Sequence, residues 1–218
     1  MSPGLRKKAL EGAQNARCRL NLWYWLLNFT ETYDEHWQEK GTKPYAKFPN
    51  KAYLEYLFYS FQTARRLLVP KSREMMVSWA AMAYAVWKCQ YYPRTHVIVQ
   101  CQKETKAQDL VCGRGVPGYC RTLWERQEDF LKKLNPLSKH VNDMPADLLT
   151  WKNESIIRGV PSGADQIRQY HPSLVIFDEA AHMDEFEESW GAAEPVASQM
   201  IAVSSAAPSV FGDWCEDI

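Results

Sequence analysis

The chain has 218 residues and a mass of 25.3 kDa, with 46% apolar and 24% charged residues. That balance suits a globular protein of one or two domains and excludes a disordered or fibrous one. The formal charge of zero conceals a split: all 26 Lys and Arg lie in residues 1–168 beside 16 acidic residues, whereas 169–218 hold ten acidic residues and no Lys or Arg. A uniform polyelectrolyte is excluded, and the acidic C-terminal segment needs a reason of its own.

No run approaches the roughly 18 consecutive apolar residues of a membrane span. The basic patch Arg6-Lys7-Lys8 is not followed by the apolar stretch of a secretory signal. Six cysteines, at 18, 89, 101, 112, 120 and 215, form no CxxC pair and lie far from the five histidines. This pattern reads as free, reduced thiols in a cytosolic protein, with neither a disulfide framework nor metal-ligand spacing.

In chain order, residues 12–40 are rich in helix formers and apolar aromatics and read as one helix that stops near Gly41. Residues 41–50, with two prolines, read as a linker, and 51–63 as a second helix with Tyr53, Leu54, Leu57, Phe58 and Phe61 on one side. Four short apolar runs follow, at 67–69, 96–99, 174–177 and 200–203, each bounded by polar or turn residues. Runs of this kind suit strands buried on both faces of a parallel sheet. Between them the spacing predicts a wholly apolar helix at 78–89, an amphipathic helix at 119–134 and a hairpin at 148–157 turning at Lys152-Asn153-Glu154. Strands alternating with helices predict a three-layer α/β core over 64–218, with residues 1–63 as an N-terminal helical appendage.

The most informative stretch is Leu174-Val-Ile-Phe-Asp178-Glu179-Ala-Ala-His182. A buried strand that ends in two adjacent carboxylates places them at the edge where open α/β sheets bind ligands. In nucleotide hydrolysis such acids divide the work: Asp178 holds Mg²⁺ and Glu179 orients and deprotonates the attacking water, the Walker B arrangement. The standard phosphate-loop pattern GxxxxGK[ST] occurs nowhere, and Gly41-Thr42-Lys43 has Pro44 after it and no strand before it. A loop in the right place is Pro70-Lys71-Ser72-Arg73-Glu74-Met75-Met76-Val77-Ser78, between a strand and an apolar helix whose first turn offers free N–H groups to phosphate. Lys71 supplies a point charge, and the Ser78 hydroxyl stands where a Mg²⁺ ligand belongs. After the last strand, Ser204-Ser205-Ala206-Ala207-Pro208 places small hydroxylated residues where loss of the γ-phosphate could be sensed.

These three elements, in this order, resemble the ATPase domain of phage large terminase subunits, the DNA-packaging motors. The resemblance spans roughly residues 48–209 and includes the stretch from Trp151 to Arg168 that leads into Walker B. It implies a P-loop fold of the ASCE type, a mostly parallel central sheet flanked by helices, with ATP and Mg²⁺ at the sheet edge. By resemblance, Lys71 and Ser72 meet the phosphates, Arg73 makes a phosphate or linkage contact, Ser78 and Asp178 hold Mg²⁺, and Glu179 is the catalytic base. Arg168 matches the position of a trans-acting arginine finger, and Ser204, Ser205, Ala206 and Pro208 the coupling motif. The implied partners are double-stranded DNA, the portal protein and procapsid, the small terminase subunit, and further copies of the chain in a ring, a pentamer by resemblance. The implied place is the host cell cytoplasm, with no membrane.

Three departures accompany it. Met75 and Met76 stand where many family loops have glycine. An adenine-side glutamine has no clear counterpart, Gln62 lying close to the loop, which leaves Tyr53 or Tyr56 to stack on the base. The family's nuclease domain is also missing, since Asp213, Glu216 and Asp217 are too few and too terminal to form its metal site; the chain reads as an isolated N-terminal motor domain without nuclease activity. The rival readings are a DExH-type helicase, from Asp178 to His182 and Ser204-Ser205-Ala206, and a nucleotide-binding assembly module with weak or no hydrolysis. Candidate DNA contacts are Arg6-Lys7-Lys8, Arg65-Arg66 and the segment 121–139.

Overall fold

The structure is a computed structural model and describes residues 2–34 and 36–216, so Asp217 lies outside the described residues. The chain opens with helix α1 (Pro3–Leu20), whose first turns, with Arg6, Lys7 and Lys8, are exposed. Asn21 then takes an extended conformation, and its side chain accepts a hydrogen bond from the Tyr24 amide to start α2 (Leu22–Phe29). Asparagine is a strong N-cap because its short amide oxygen reaches a free amide of the first turn. After α2, Thr30 is extended, strand β1 (Glu31–Tyr33) pairs antiparallel with β2 (Tyr45–Lys47), and the short helix α3 (Trp37–Lys40) lies between them. The single helix expected over 12–40 is therefore two longer helices, a strand and a helical turn. Asn21 restarts it, the β-branched Thr30 and Thr32 favour extended backbone, and the expected linker supplies the partner strand.

Helix α4 (Ala52–Thr63) buries Leu54, Leu57, Phe58 and Phe61, the i, i+3, i+4, i+7 stripe of an amphipathic helix. Strand β3 (Arg66–Lys71) leads through a loop into α5 (Val77–Tyr91), where every residue except Ser78 and Lys88 is buried. Strand β4 (His96–Cys101) and helix α6 (Glu104–Leu110) follow. The helix expected at 119–134 is divided into α7 (Tyr119–Glu125) and α8 (Asp129–Leu134). It breaks at Gln127, whose side chain is drawn into the core. There Gln127 accepts from Trp25 Nε1 at 3.2 Å and Gln90 Nε2 at 2.9 Å and donates to Gln90 Oε1 at 3.0 Å. The hairpin β5 (Leu148–Thr150) and β6 (Ile156–Pro161), the short helix α9 (Asp165–Arg168), β7 (Leu174–Asp178), α10 (Phe186–Ala193), β8 (Gln199–Ser205) and α11 (Val210–Glu216) complete the chain.

Six strands form one sheet in the order β3-β8-β7-β4-β6-β5, parallel throughout except for β5 at the edge. Side chains alternate across it with period two. Val97, Val99, Leu174, Ile176, Ile201 and Val203 face the core under α1, α2, α4, α5 and α7, whereas Ile98, Val175, Phe177, Met200 and Ala202 face the core under α9, α10 and α11. This is a mostly parallel sheet covered on both faces, the arrangement that the near-continuous apolar runs predict. Residues of the first 63, among them Cys18, Leu22, Trp25 and Phe58, share the first core with α5. No helix among the described residues is long and apolar enough to cross a membrane. All six cysteines are free, and burial pushes the Cys18 thiol up to about 11 and the Cys112 thiol up to about 12, so neither carries appreciable thiolate at neutral pH.

The buried Trp25–Gln127–Gln90 network joins α2, α5 and the α7–α8 junction, and removing its centre leaves two buried donors without acceptors. Gln127→Leu is expected to lower stability by about 2–4 kcal/mol, read from urea unfolding, whereas Gln62→Leu, on the exposed side of α4, is expected to change it by less than about 0.5 kcal/mol.

Candidate functional site

Strand β8 lies between β3 and β7, so the loop after β3 and the acids after β7 are separated by one strand at the same, C-terminal edge of the sheet. The register sets Lys71 beside Ser205 and Asp178 beside Val203. Three of the loops singled out in the sequence therefore meet at one edge, as parallel strands require.

Ser78 sits in the first turn of α5 and donates to Asp178 Oδ1 at 2.7 Å across one hundred residues of chain. Asp178 is only 6% exposed. Burial is the main cause that pushes its carboxyl up to about 6; the Ser78 hydrogen bond opposes the rise, the Glu179 charge adds to it, and Lys71 opposes it. A hydroxyl and a buried carboxylate in contact, with the carboxylate destabilised by lack of a full counter-charge, form a hard oxygen donor set suited to Mg²⁺.

Lys71, one-tenth exposed, points its ammonium at Glu179 Oε1 at 3.6 Å. Glu179 adopts left-handed backbone (φ 59°), which costs a non-glycine residue roughly 1 kcal/mol. It turns the chain at once into the single turn Ala180–His182 and leaves the Glu179 side chain 44% exposed at the edge. In the loop before α5, Glu74 (φ 61°) and Met76 (φ 58°) are also left-handed. The conformation that glycine would supply is thus present without glycine, and Met75 and Met76 pack against the core beside it. The Tyr53 hydroxyl donates to the Met75 carbonyl at 3.2 Å, bracing this loop from α4, while Tyr56 stands 72% exposed. Gln62 donates to the Phe58 carbonyl within α4.

A cavity of about 850 Å³ opens at this edge, lined by Ser78, Asp178 and Glu179 together with Lys106 and Arg114. Its size is within the range of clefts that enclose a nucleotide-sized ligand. Tyr33 of β1 and the stacked pair Trp79–Tyr119 (centroids 3.9 Å apart) also line it. Arg114 is carried on a tight loop in which Gly113 has φ 76°, and a Cβ there would collide with the Val116 carbonyl. Sequence reasoning passed over Lys106 and Arg114; the one signal for the second was its place between two glycines.

Ser72 and Arg73 are exposed on the loop. Ser204, fully buried, accepts from the Ala181 amide at 3.0 Å, and Ser205 Oγ lies 3.3 Å from His182 Nε2. Ala206 and Pro208 are exposed beyond the strand. Arg168 is not brought to the acids of its own chain: it ends α9, pairs with Asp165 at 2.9 Å with its side chain 64% exposed, and does not line the cavity. The turn before α9 is held by Gln100, whose side-chain amide donates to the Pro161 and Gly163 carbonyls. Asp184, Glu187 and Glu188 line a second cavity of about 740 Å³ on the other side of the Ala180–His182 turn, and this is where part of the acidic C-terminal segment is placed.

No protein-family model matches the chain, and no curated protein sequence matches it. Solved structures do. A mutant of the ATPase domain of the Thermus phage P74-26 large terminase superposes with a TM-score of 0.50 at 17% identity, covering 83% of this chain and 73% of that one. The HK97 bacteriophage large terminase superposes with a TM-score of 0.59 at 9% identity, covering 88% of this chain and 39% of that one. The fold, a six-stranded and mostly parallel sheet flanked by helices, is similar to that of these phage large terminase ATPase domains.

In the folded protein Asp178 keeps its proton up to about pH 6, whereas in the unfolded chain it ionises near 3.8, so the folded state binds more protons in that window and loses stability as pH rises through it. Asp178→Asn removes the cost of the buried charge. The metal- and nucleotide-free variant is expected to be more stable than the parent at pH 7.5, by on the order of 2–3 kcal/mol, with the gain vanishing towards pH 4. Thermal unfolding across that range checks it; an equal gain at both ends would contradict the burial argument.

Proposed function

We propose that this chain is a Mg²⁺-dependent ATPase that drives translocation of double-stranded viral DNA into a procapsid. The observation that carries the reading is the convergence of Lys71, Ser78, Asp178 and Glu179 at one sheet edge, with β8 between the two strands that deliver them. In this reading residues 64–218 form the ATPase core and 1–63 its helical appendage. The partners are DNA, the portal of the procapsid, the small terminase subunit and further copies of the chain in a ring, in the host cell cytoplasm.

The free amides of the first turn of α5 and the Lys71 ammonium bind the ATP phosphates, with Ser72 and Arg73 on the loop beside them. Ser78 and Asp178 would hold Mg²⁺, which would supply neutralisation of the phosphate charge. Lys71 faces Glu179, and phosphate competes for the same ammonium, so substrate binding frees the Glu179 carboxylate to accept a proton from water. The oxygen of that water attacks the γ-phosphorus, the bond to the β-phosphate oxygen breaks, and ADP and phosphate leave. Arg168, which pairs with Asp165 and does not line the cavity of its own chain, serves a neighbour's site in this reading, where a guanidinium stabilises charge on the transferred group.

Mg²⁺-dependent ATP hydrolysis by the full chain is expected to fall about 100-fold or more in Lys71→Ala and Glu179→Ala. Equal, negligible rates in all three proteins at every concentration would remove the enzymatic half of the reading. Mixing Arg168→Ala with Glu179→Ala subunits is expected to restore hydrolysis, because each supplies what the other lacks; no recovery would place Arg168 outside the reaction. Hydrolysis that rises with duplex DNA and with procapsid portals would support the packaging role, and unwinding of a partial duplex would favour a helicase.

A further inference from the structure

The residue that follows the acid pair by three places has a geometry that the role of the pair does not account for. His182 ends the turn after Glu179, and its Nε2 atom faces two oxygens at once: Glu179 Oε2 at 3.7 Å and Ser205 Oγ at 3.3 Å. Ser205 Oγ is within hydrogen-bond distance and Glu179 Oε2 within ion-pair distance, and a ring nitrogen carrying one hydrogen can direct it to only one of these oxygens at a time. The two belong to different strands, Glu179 to the end of β7 and Ser205 to the end of β8.

The surrounding backbone holds this arrangement in register. The buried Ser204 hydroxyl accepts from the Ala181 amide, so the turn that carries His182 is fastened to the same strand end that carries Ser205. Glu179 has its left-handed backbone at the start of that turn, and its carboxylate lies between two basic side chains, Lys71 on Oε1 and His182 on Oε2. Phosphate competes with Glu179 for Lys71. Once Lys71 is drawn away, the His182 contact is the one that remains to orient the carboxylate, and any rotation of that carboxylate alters what is left for Ser205.

We propose that His182 is a positioning residue that aims Glu179 at the attacking water and, through its alternative hydrogen bond to Ser205, carries the state of Glu179 to the end of β8. This rests on the reading of Glu179 as the catalytic base. His182 touches neither phosphate nor water in this role; it acts on the group that does.

The test uses the full chain with His182→Ala, His182→Gln, Ser205→Ala and the double variant His182→Ala/Ser205→Ala, each also in the Glu179→Gln background. Three quantities are read: steady-state kcat and KM for Mg-ATP, affinity for a fluorescent ATP analogue, and thermal unfolding. His182→Ala is expected to lower kcat by about 10- to 100-fold, since a misplaced catalytic group costs that order, with KM and analogue affinity within twofold of the parent. His182→Gln, whose amide can donate from nearly the same place, is expected to recover most of the rate. The double variant is expected to lose no more than His182→Ala alone, and His182→Ala is expected to have no further effect when Glu179 is already Gln.

A kcat within twofold of the parent in His182→Ala overturns the proposal. So does a loss that appears equally in affinity and unfolding temperature, that Gln fails to recover, or that persists with Glu179→Gln, because each would mark a merely structural side chain. A parent chain that hydrolyses no more ATP than Glu179→Gln overturns the reading of Glu179 and this proposal with it, whereas an active parent with an indifferent His182→Ala overturns this proposal alone.

Discussion

A carboxylate can be buried beside a helix start only if something there compensates its charge, and in this protein that requirement is met in part. The Ser78 hydroxyl donates to Asp178 at 2.7 Å, yet burial still raises the acid to about 6. The contact holds the N-terminus of α5 against the end of β7, and the packing follows from it. The loop between β3 and α5 passes β8, so the first turn of α5 already meets β7, and the helix runs on against β7, β4 and β6 with nearly all of its side chains buried. The acid is thus only partly compensated, and stability is given up at this edge of the sheet.

Backbone strain gathers at the same edge. Among the described residues, Glu74, Met76 and Glu179 are three of the five non-glycine residues with positive φ, and they lie in the loop and the acid pair. Glycine at the loop positions would relieve the strain and would also loosen the loop, which Met75 and Met76 anchor to the core and Tyr53 braces from α4. The loop thus holds by packing a left-handed shape that glycine would adopt at no steric cost. The charge split also gains a physical meaning. Of the acids of the C-terminal segment, Asp178 and Glu179 belong to the site and Asp184, Glu187 and Glu188 line the second cavity, while Lys71, Lys106 and Arg114 come to this edge from the basic part of the chain.

The strands were legible because a parallel sheet covered on both faces leaves runs of apolar residues with no alternation to confuse them: 96–99, 174–177 and 200–203 all lie inside observed strands. The helices of the first forty residues and of 119–134 were less so. Their breaks depend on one side chain each, Asn21 turning back to cap a new helix and Gln127 turning inward to Trp25 and Gln90, and neither choice is encoded in periodicity. Strand β2 was read as linker because three residues acquire strand character only from the partner they pair with.

By itself the sequence determined that a strand would deliver Asp178 and Glu179 together and that Lys71 and Ser78 would bracket a strand-to-helix loop, since these are neighbours along the chain and strand or helix geometry carries local order directly into space. Only the tertiary structure decided that β8 would stand between those two strands, that Arg114 would line the same cavity as the acids while Arg168 would not, and that one nitrogen of His182 would meet both Glu179 and Ser205. Strand order and loop placement are set by how two apolar faces of a sheet are covered at once, a property of the whole packed chain that no local pattern contains.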